Sequence, residues 1–81
     1  MTLHVRLFAR ARDLAGAAVL VLDLPAGATV ADLRRTVAAT HPTLAPLLAR
    51  SAVAVNDDFA DDTQVLPPNA EVALLPPVSG G

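Results

Sequence analysis

The chain has 81 residues, a formal net charge of −2, and 53% hydrophobic against 17% charged residues. These values describe one small globular domain and exclude a disordered chain. There is no cysteine and no lysine, and all six basic residues are arginines. Disulfides, thiolate metal sites and a thiol nucleophile are therefore excluded. The lack of a basic run argues against nucleic-acid binding.

The first part of the chain predicts a β-hairpin. From Leu3 to Arg10, apolar and polar residues alternate, which is typical of a half-buried strand. Phe8 falls in phase with the polar residues, so we expect it on the outward face. The segment "RDLAGA" predicts a loop, and "AVLVLDL" predicts a second strand that stops at Pro25.

A helix is predicted from about Val30 to Thr40. Thr29 followed by Asp32 has the pattern of a helix start, with a capping hydroxyl and a carboxylate three residues later. Apolar residues then recur at helical spacing, and His41-Pro42 ends the helix because proline cannot continue its hydrogen bonds. The following "TLAPLLAR" predicts a short helical turn.

The remainder predicts short strands separated by turns. "SAVAVN" is a third strand and Asn56-Asp57-Asp58 a turn, while Gln64 to Leu66 predicts a brief strand or bridge. In "PPNA", Asn69 suits a left-handed turn position. The segment "EVALLP" is the last strand, and its continuous apolar character favours a central place in the sheet.

This order of elements predicts an α+β fold, with one main helix covering one face of a mixed sheet of four to five strands. A last strand beside the first gives the β-grasp arrangement. We expect the domain to span residues 1–76 and a flexible tail to span 77–81. The other face of the sheet is then open, and Phe8 and Leu75 are both predicted to lie on it.

No active site is predicted inside the domain. The two histidines lie on different elements, away from metal-ligand spacing, so no metal site is expected. The acidic run Asp57 to Asp62 lacks the glycine and the distal glutamate of a calcium loop. A phosphate-binding loop needs a lysine. The apolar stretch from Leu14 to Leu22 is too short to span a bilayer, so no membrane association is expected, and the cytoplasm is the expected location.

The end of the sequence, "LLPPVSGG", points to chemistry at the terminus. Pro76-Pro77 favours an extended path, and Gly80-Gly81 is the narrowest possible chain. Such an end can enter a partner's active site and present its carboxylate. A carboxylate must be activated before a nucleophile can attack it, and the sequence has no nucleotide-binding motif, so a separate ATP-using enzyme is expected. Without cysteine, any sulfur would be carried as a C-terminal thiocarboxylate.

The segments "VRLFARARDLAG" and "VNDD…VLPPNAEVALLPPVSGG" resemble the small subunit of molybdopterin synthase, a ubiquitin-like β-grasp sulfur carrier. The resemblance spans essentially the whole chain; "PPNAEV" replaces the more usual Gly-Asp-Glu-Val. It implies that an activating enzyme adenylates Gly81 with MgATP, and that a sulfurtransferase supplies sulfur for a thiocarboxylate. The chain itself binds no cofactor and is active only with the large synthase subunit, in a heterotetramer.

The resemblance also implies which residues face the partners. These are Phe8, Arg12, Phe59 and Leu75, followed by the tail residues Pro76, Pro77, Val78, Ser79, Gly80 and Gly81. The residues themselves leave a core role open for Phe59. Three other functions also stay open: a sulfur carrier for cysteine, thiamine or tRNA thiolation, a ubiquitin-like modifier, and a passive interaction domain.

Overall fold

The computed structural model describes residues 1–77. Its elements, in chain order, are β1 (Thr2–Leu7), α1 (Ala9–Ala15), β2 (Val19–Asp23), α2 (Val30–Thr40), a 3₁₀ turn (Pro42–Leu44), α3 (Ala45–Leu48), β3 (Ala52–Val55), β4 (Asp58–Phe59) and β5 (Glu71–Leu75). None of the helices in this part of the chain is long and apolar enough to cross a membrane.

The strands form one mixed sheet in the order β2-β1-β5-β3-β4. β5 lies in the centre, parallel to β1 and antiparallel to β3. The predicted β-hairpin of the first two strands is confirmed, and so is the α+β fold with the last strand beside the first. Within residues 1–77, α1, α2 and α3 all contribute to the core on one face of the sheet, and the other face carries no helix.

The core lies between the sheet and the helices. Alternate strand residues and one stripe of α2 supply it, and its fully buried members include Leu3, Val5, Leu33, Val37, Leu44, Val53, Leu66, Val72 and Leu74. The alternation predicted for β5 is confirmed, since Val72 and Leu74 are buried and Glu71 is exposed. β1, β2 and β5 therefore each have one face in the core and one face outward, whereas both residues of β4 are exposed.

α2 begins and ends at the predicted residues. The Thr29 hydroxyl accepts a hydrogen bond from the Asp32 amide at 3.3 Å, and the Thr29 amide donates to the Asp32 carboxylate at 2.9 Å. This reciprocal capping box satisfies two backbone donors that the first turn would otherwise leave free. The backbone hydrogen bond from Thr29 is the main reason that the pKa of Asp32 lies below its ordinary value of 3.8.

Two of the turns that follow β3 have left-handed backbone. Asn56 and Asp57 have φ of 49° and 71°, which is the geometry of a type I′ hairpin turn between β3 and β4. Asn69 has φ of 60°, as predicted for the "PPNA" turn. The brief bridge predicted near Gln64 is present as a single pairing between Thr29 and Val65.

Two predictions of secondary structure were wrong. The first strand ends at Leu7 instead of continuing to Arg10, and the segment predicted as a loop is the helix α1. Ala9, with φ of 51°, turns the chain out of the sheet, and Gly16, with φ of 69°, closes the helix. Alanine and arginine are strong helix formers, and their alternation from Ala9 to Arg12 imitates the period of a strand. The two-residue strand β4 was not predicted.

Candidate functional site

The open face of the sheet carries a row of side chains that crosses all five strands. Strand register aligns Val19 with Arg6, Arg6 with Ala73, Ala73 with Ala54, and Ala54 with Phe59. The two alanines in the middle have short side chains, so the surface of the row is lowest at its centre. The larger side chains of Val19 and Phe59 stand at its two ends, and Arg6 lies between Val19 and the alanines.

Phe8 and Leu75 lie at one end of this face. β1 and β5 are parallel with Leu7 opposite Leu74, so the next residues, Phe8 and Leu75, continue the register on the outward side. Phe8 is 38% exposed, and Leu75 is half-buried beside Ala52. The sequence-based placement of Phe8 and Leu75 on the open face is confirmed.

A cleft of about 90 Å³ opens beside Phe8. Phe8, Arg6, Ala54, Ala73, Val72, Asp57 and Glu71 line it. The Arg6 guanidinium lies 5.7 Å from the centre of the Phe8 ring, within the range of a cation–π interaction. This contact holds a charged group against the ring of Phe8, and Arg6 is exposed, so a partner can reach it.

Phe59 is an exposed residue and has no core role. Its side chain is 76% exposed on the edge strand β4, opposite Ala54. The structure therefore excludes the alternative of a core Phe59 and leaves it as a border of the open face.

Arg12 lies on α1 rather than on the sheet. It follows the N-cap residue Phe8 by four positions, which is about one helical turn, and its side chain is exposed.

Among the predicted tail residues, Pro76 is half-buried and Pro77 is exposed. Val78, Ser79, Gly80 and Gly81 lie outside the described residues.

Sequence reasoning missed three contributors to this surface. Arg6 packs over Phe8, and Val19 and Val21 of β2 are 44% and 63% exposed on the same face. The signal was present, because these valines alternate with the buried Leu20 and Leu22. The predicted hairpin also places β2 beside the first strand, so the outward valines of β2 could have been assigned to this face.

The fold and this surface define a ubiquitin-like β-grasp protein. The ubiquitin of Caldiarchaeum subterraneum matches the full chain with a TM-score of 0.69 at 20% identity, which shows the shared fold. The model of the ThiS family matches residues 5–81, and the chain belongs to this family.

Curated relatives have a common name. The molybdopterin synthase sulfur carrier subunit of Chlamydomonas reinhardtii is 34% identical over 100% of both chains. That of Arabidopsis thaliana is 33% identical over 98% of this chain and 82% of its own length.

Two solved structures represent different roles. The small archaeal modifier protein 1 of Haloferax volcanii has a TM-score of 0.89 at 28% identity, over 100% of both chains. A complex of subunits 1 and 2 of the molybdopterin-converting factor of Helicobacter pylori contains a chain with a TM-score of 0.72 at 26% identity, again over 100% of both chains.

Proposed function

We propose that this chain is the sulfur carrier of molybdopterin synthesis and that Gly81 is its reacting residue. One observation carries the proposal: the central strand β5 runs from the core past Leu75 on the open apolar face and continues into a sequence that ends in Gly-Gly. Family membership and the common name of the curated relatives support the same role.

The chemistry begins at the α-carboxylate of Gly81. In the proposed reaction, a carboxylate oxygen attacks the α-phosphorus of MgATP on an activating enzyme, and pyrophosphate leaves. The terminal sulfur of a persulfide on a sulfurtransferase then displaces AMP from the acyl carbon and forms an acyl disulfide. A thiol attacks the sulfurtransferase-side sulfur of that acyl disulfide, which forms a new disulfide and releases the thiocarboxylate. The chain provides the acyl group and the docking surface, and the partners provide the nucleotide site and the sulfur.

Burial of the open face against a partner offsets the free-energy cost of ordering the tail. Holding the tail in a partner's active site costs about 1–2 kcal/mol for each residue whose backbone becomes ordered. Burying Phe8, Phe59 and Leu75 against the partner offsets that cost, at about 25 cal/mol for each Å² of apolar surface removed from water. Arg12, Pro76, Pro77, Val78 and Ser79 extend the proposed contact from the sheet to the reacting end.

Intact-mass spectrometry tests the proposal directly. The chain is incubated with an activating enzyme, MgATP, a sulfurtransferase with its sulfur donor, and a thiol reductant, and we expect one oxygen to be replaced by sulfur at the C-terminus. A variant that lacks Gly81, or that carries one residue after it, serves as the matched control and should gain no sulfur while unfolding at the same temperature. An unchanged mass for the intact chain beside an active adenylating enzyme would contradict the proposal.

We propose that the loaded tail transfers its sulfur to the acceptor inside a large partner subunit. The complex from Helicobacter pylori supports a partner of this kind, and we propose a heterotetramer in which the loaded tail enters the large subunit. Adding that subunit and cyclic pyranopterin monophosphate to the thiocarboxylated chain should yield molybdopterin. A loaded chain that transfers sulfur to a cysteine, thiamine or tRNA precursor instead would assign it to a related pathway.

A second candidate function is protein modification, which the similarity to the small archaeal modifier protein 1 favours. Here Gly81 would form an amide with a target lysine. Chains of copies linked through lysine are disfavoured, because the sequence has no lysine. Protease-sensitive ladders of higher mass in cells that express a tagged chain would support this candidate.

A further inference from the structure

A second, larger cleft lies between α1 and the segment that follows α2. Its volume is about 280 Å³, and its lining residues are Arg10, Leu14, Thr43, Pro46, Leu47 and Arg50. Leu14 is 40% exposed and forms part of an apolar floor with Pro46 and Leu47. The proposed docking of the open face leaves this cleft unused.

Both charges on the lining are positive. Within residues 1–77, Arg34 and Arg35 form ion pairs with aspartates, whereas Arg10 and Arg50 form none. No acidic side chain lines the cleft, although the chain as a whole has a net charge of −2. The two arginines are thus free, within the described part of the chain, to receive negative charge from outside.

The cleft lies at the end of the molecule from which the tail leaves. α1 begins directly after β1, and the C-terminal end of β1 lies beside that of the parallel strand β5. Arg50 precedes Ala52 by two residues, and Ala52 pairs with Leu75. The acidic residues Asp57 and Glu71 lie at the other end of the sheet, where β5 begins.

This distribution of charge distinguishes the two clefts. Arg10 and Arg50 attract an acidic segment to the larger cleft, whereas Asp57 and Glu71, which line the cleft beside Phe8, repel it from the open face. α1 is about 10 Å long and begins next to Phe8. A partner that covers Phe8 therefore reaches the cleft by following one short helix.

We propose that this cleft is a second docking surface, which binds an acidic segment of a partner protein carrying a hydrophobic side chain. The arginines match carboxylates, and the floor at Leu14 and Leu47 matches an apolar side chain. A small inorganic anion would gain nothing from that floor. The volume is below that of most sites for drug-sized ligands and suits a few side chains.

The test uses the ¹⁵N-labelled full chain and the peptide acetyl-Glu-Leu-Glu-Leu-Glu-amide. Amide shifts in NMR spectra should concentrate at Arg10, Leu14, Leu47 and Arg50. Arg10→Gln and Arg50→Gln should each weaken binding about two- to fivefold, as expected for partly exposed charge pairs. Arg35→Gln, which removes the same charge from the exposed surface of α2, should leave the affinity unchanged.

Three results would overturn the proposal. Shifts confined to the open face around Ala73 would place the peptide elsewhere. Equal binding of a Gln-Leu-Gln-Leu-Gln peptide would remove the role of charge, and equal binding of a Glu-Ser-Glu-Ser-Glu peptide would remove the role of the apolar floor. None of these readouts involves Gly81, so this proposal and the sulfur-carrier proposal fail independently.

Discussion

Phe8 combines an extended backbone, with φ of −127° and ψ of 155°, and a side chain that is 38% exposed. Ala9 follows with φ of 51°, a conformation that costs a residue with a β-carbon about 1–2 kcal/mol. The strained turn takes the chain out of the sheet directly after the aromatic side chain. Phe8 therefore remains at the border of the open face instead of being covered by a longer strand.

Phe8→Asp should weaken binding to a large subunit of molybdopterin synthase by about thirtyfold, equivalent to about 2 kcal/mol, because it puts a charge where an aromatic contact is buried. The free energy of unfolding should change by less than about 1 kcal/mol. Calorimetric titration and urea denaturation measure the two quantities.

Val65→Asp is the matched control for Phe8→Asp. Val65 is 56% exposed and pairs with Thr29, at the N-terminus of α2. The same change of side chain there should leave partner binding intact. A large loss of stability in Phe8→Asp would show that Phe8 belongs to the core, contrary to its exposure.

Asn69 is a second residue whose backbone conformation restricts which side chains fit at its position. Its φ of 60° suits asparagine and glycine but penalises a β-branched side chain. Asn69→Val should lower the free energy of unfolding by about 1–2 kcal/mol, whereas Asn69→Gly should change it little. Equal urea midpoints for both variants would contradict the role assigned to this turn.

At the scale of elements, β5 joins the core to the docking surface. Leu74 is 0% exposed, while its neighbour Leu75 faces the open side. Leu74→Ala should cost about 2–5 kcal/mol of stability, and Leu75→Ala should cost less than half as much but weaken partner binding. A larger loss of stability for Leu75→Ala would reverse the assignment of the two faces.

The capping box of α2 predicts a dependence of stability on pH. The pKa of Asp32 lies below its ordinary 3.8, mainly through the hydrogen bond from the Thr29 amide. Its contribution is therefore complete above the unfolded-state pKa and is lost as pH falls through the lower folded-state pKa. Asp32→Asn should be less stable than the parent at pH 7, and the difference should shrink below about pH 4. A difference that stays constant across this range would contradict it.

At the scale of the whole molecule, the buried core ends at Leu74. This predicts that a chain ending at Pro77 folds as well as the full chain, with the same urea midpoint and the same slope, because the exposed surface gained on unfolding is unchanged. It should accept no sulfur. A lower midpoint would show that residues 78–81 contribute to the folded domain and would move the predicted boundary at residue 76.

Much of the fold could be predicted because its signals are local. The alternation in β1, β2 and β5 and the capping pair at Thr29 and Asp32 act over a few residues, and the structure confirms them. The helix α1 was not predicted because Ala11 is its sole buried residue, so no apolar stripe marks the helix in the sequence. The strand β4 was not predicted because two residues are too few to show the alternation of a strand.

The sequence by itself determined which faces are apolar, where α2 begins, and that no thiol or lysine is available. Tertiary structure alone decided that Phe59 joins Phe8 and Leu75 on the open face, and that Arg10 and Arg50 flank one cleft. The physical reason is that strands pair through backbone groups common to nearly all residues. Residues 8 and 75 become neighbours only when burial of the whole core selects the pairing of β1 with β5.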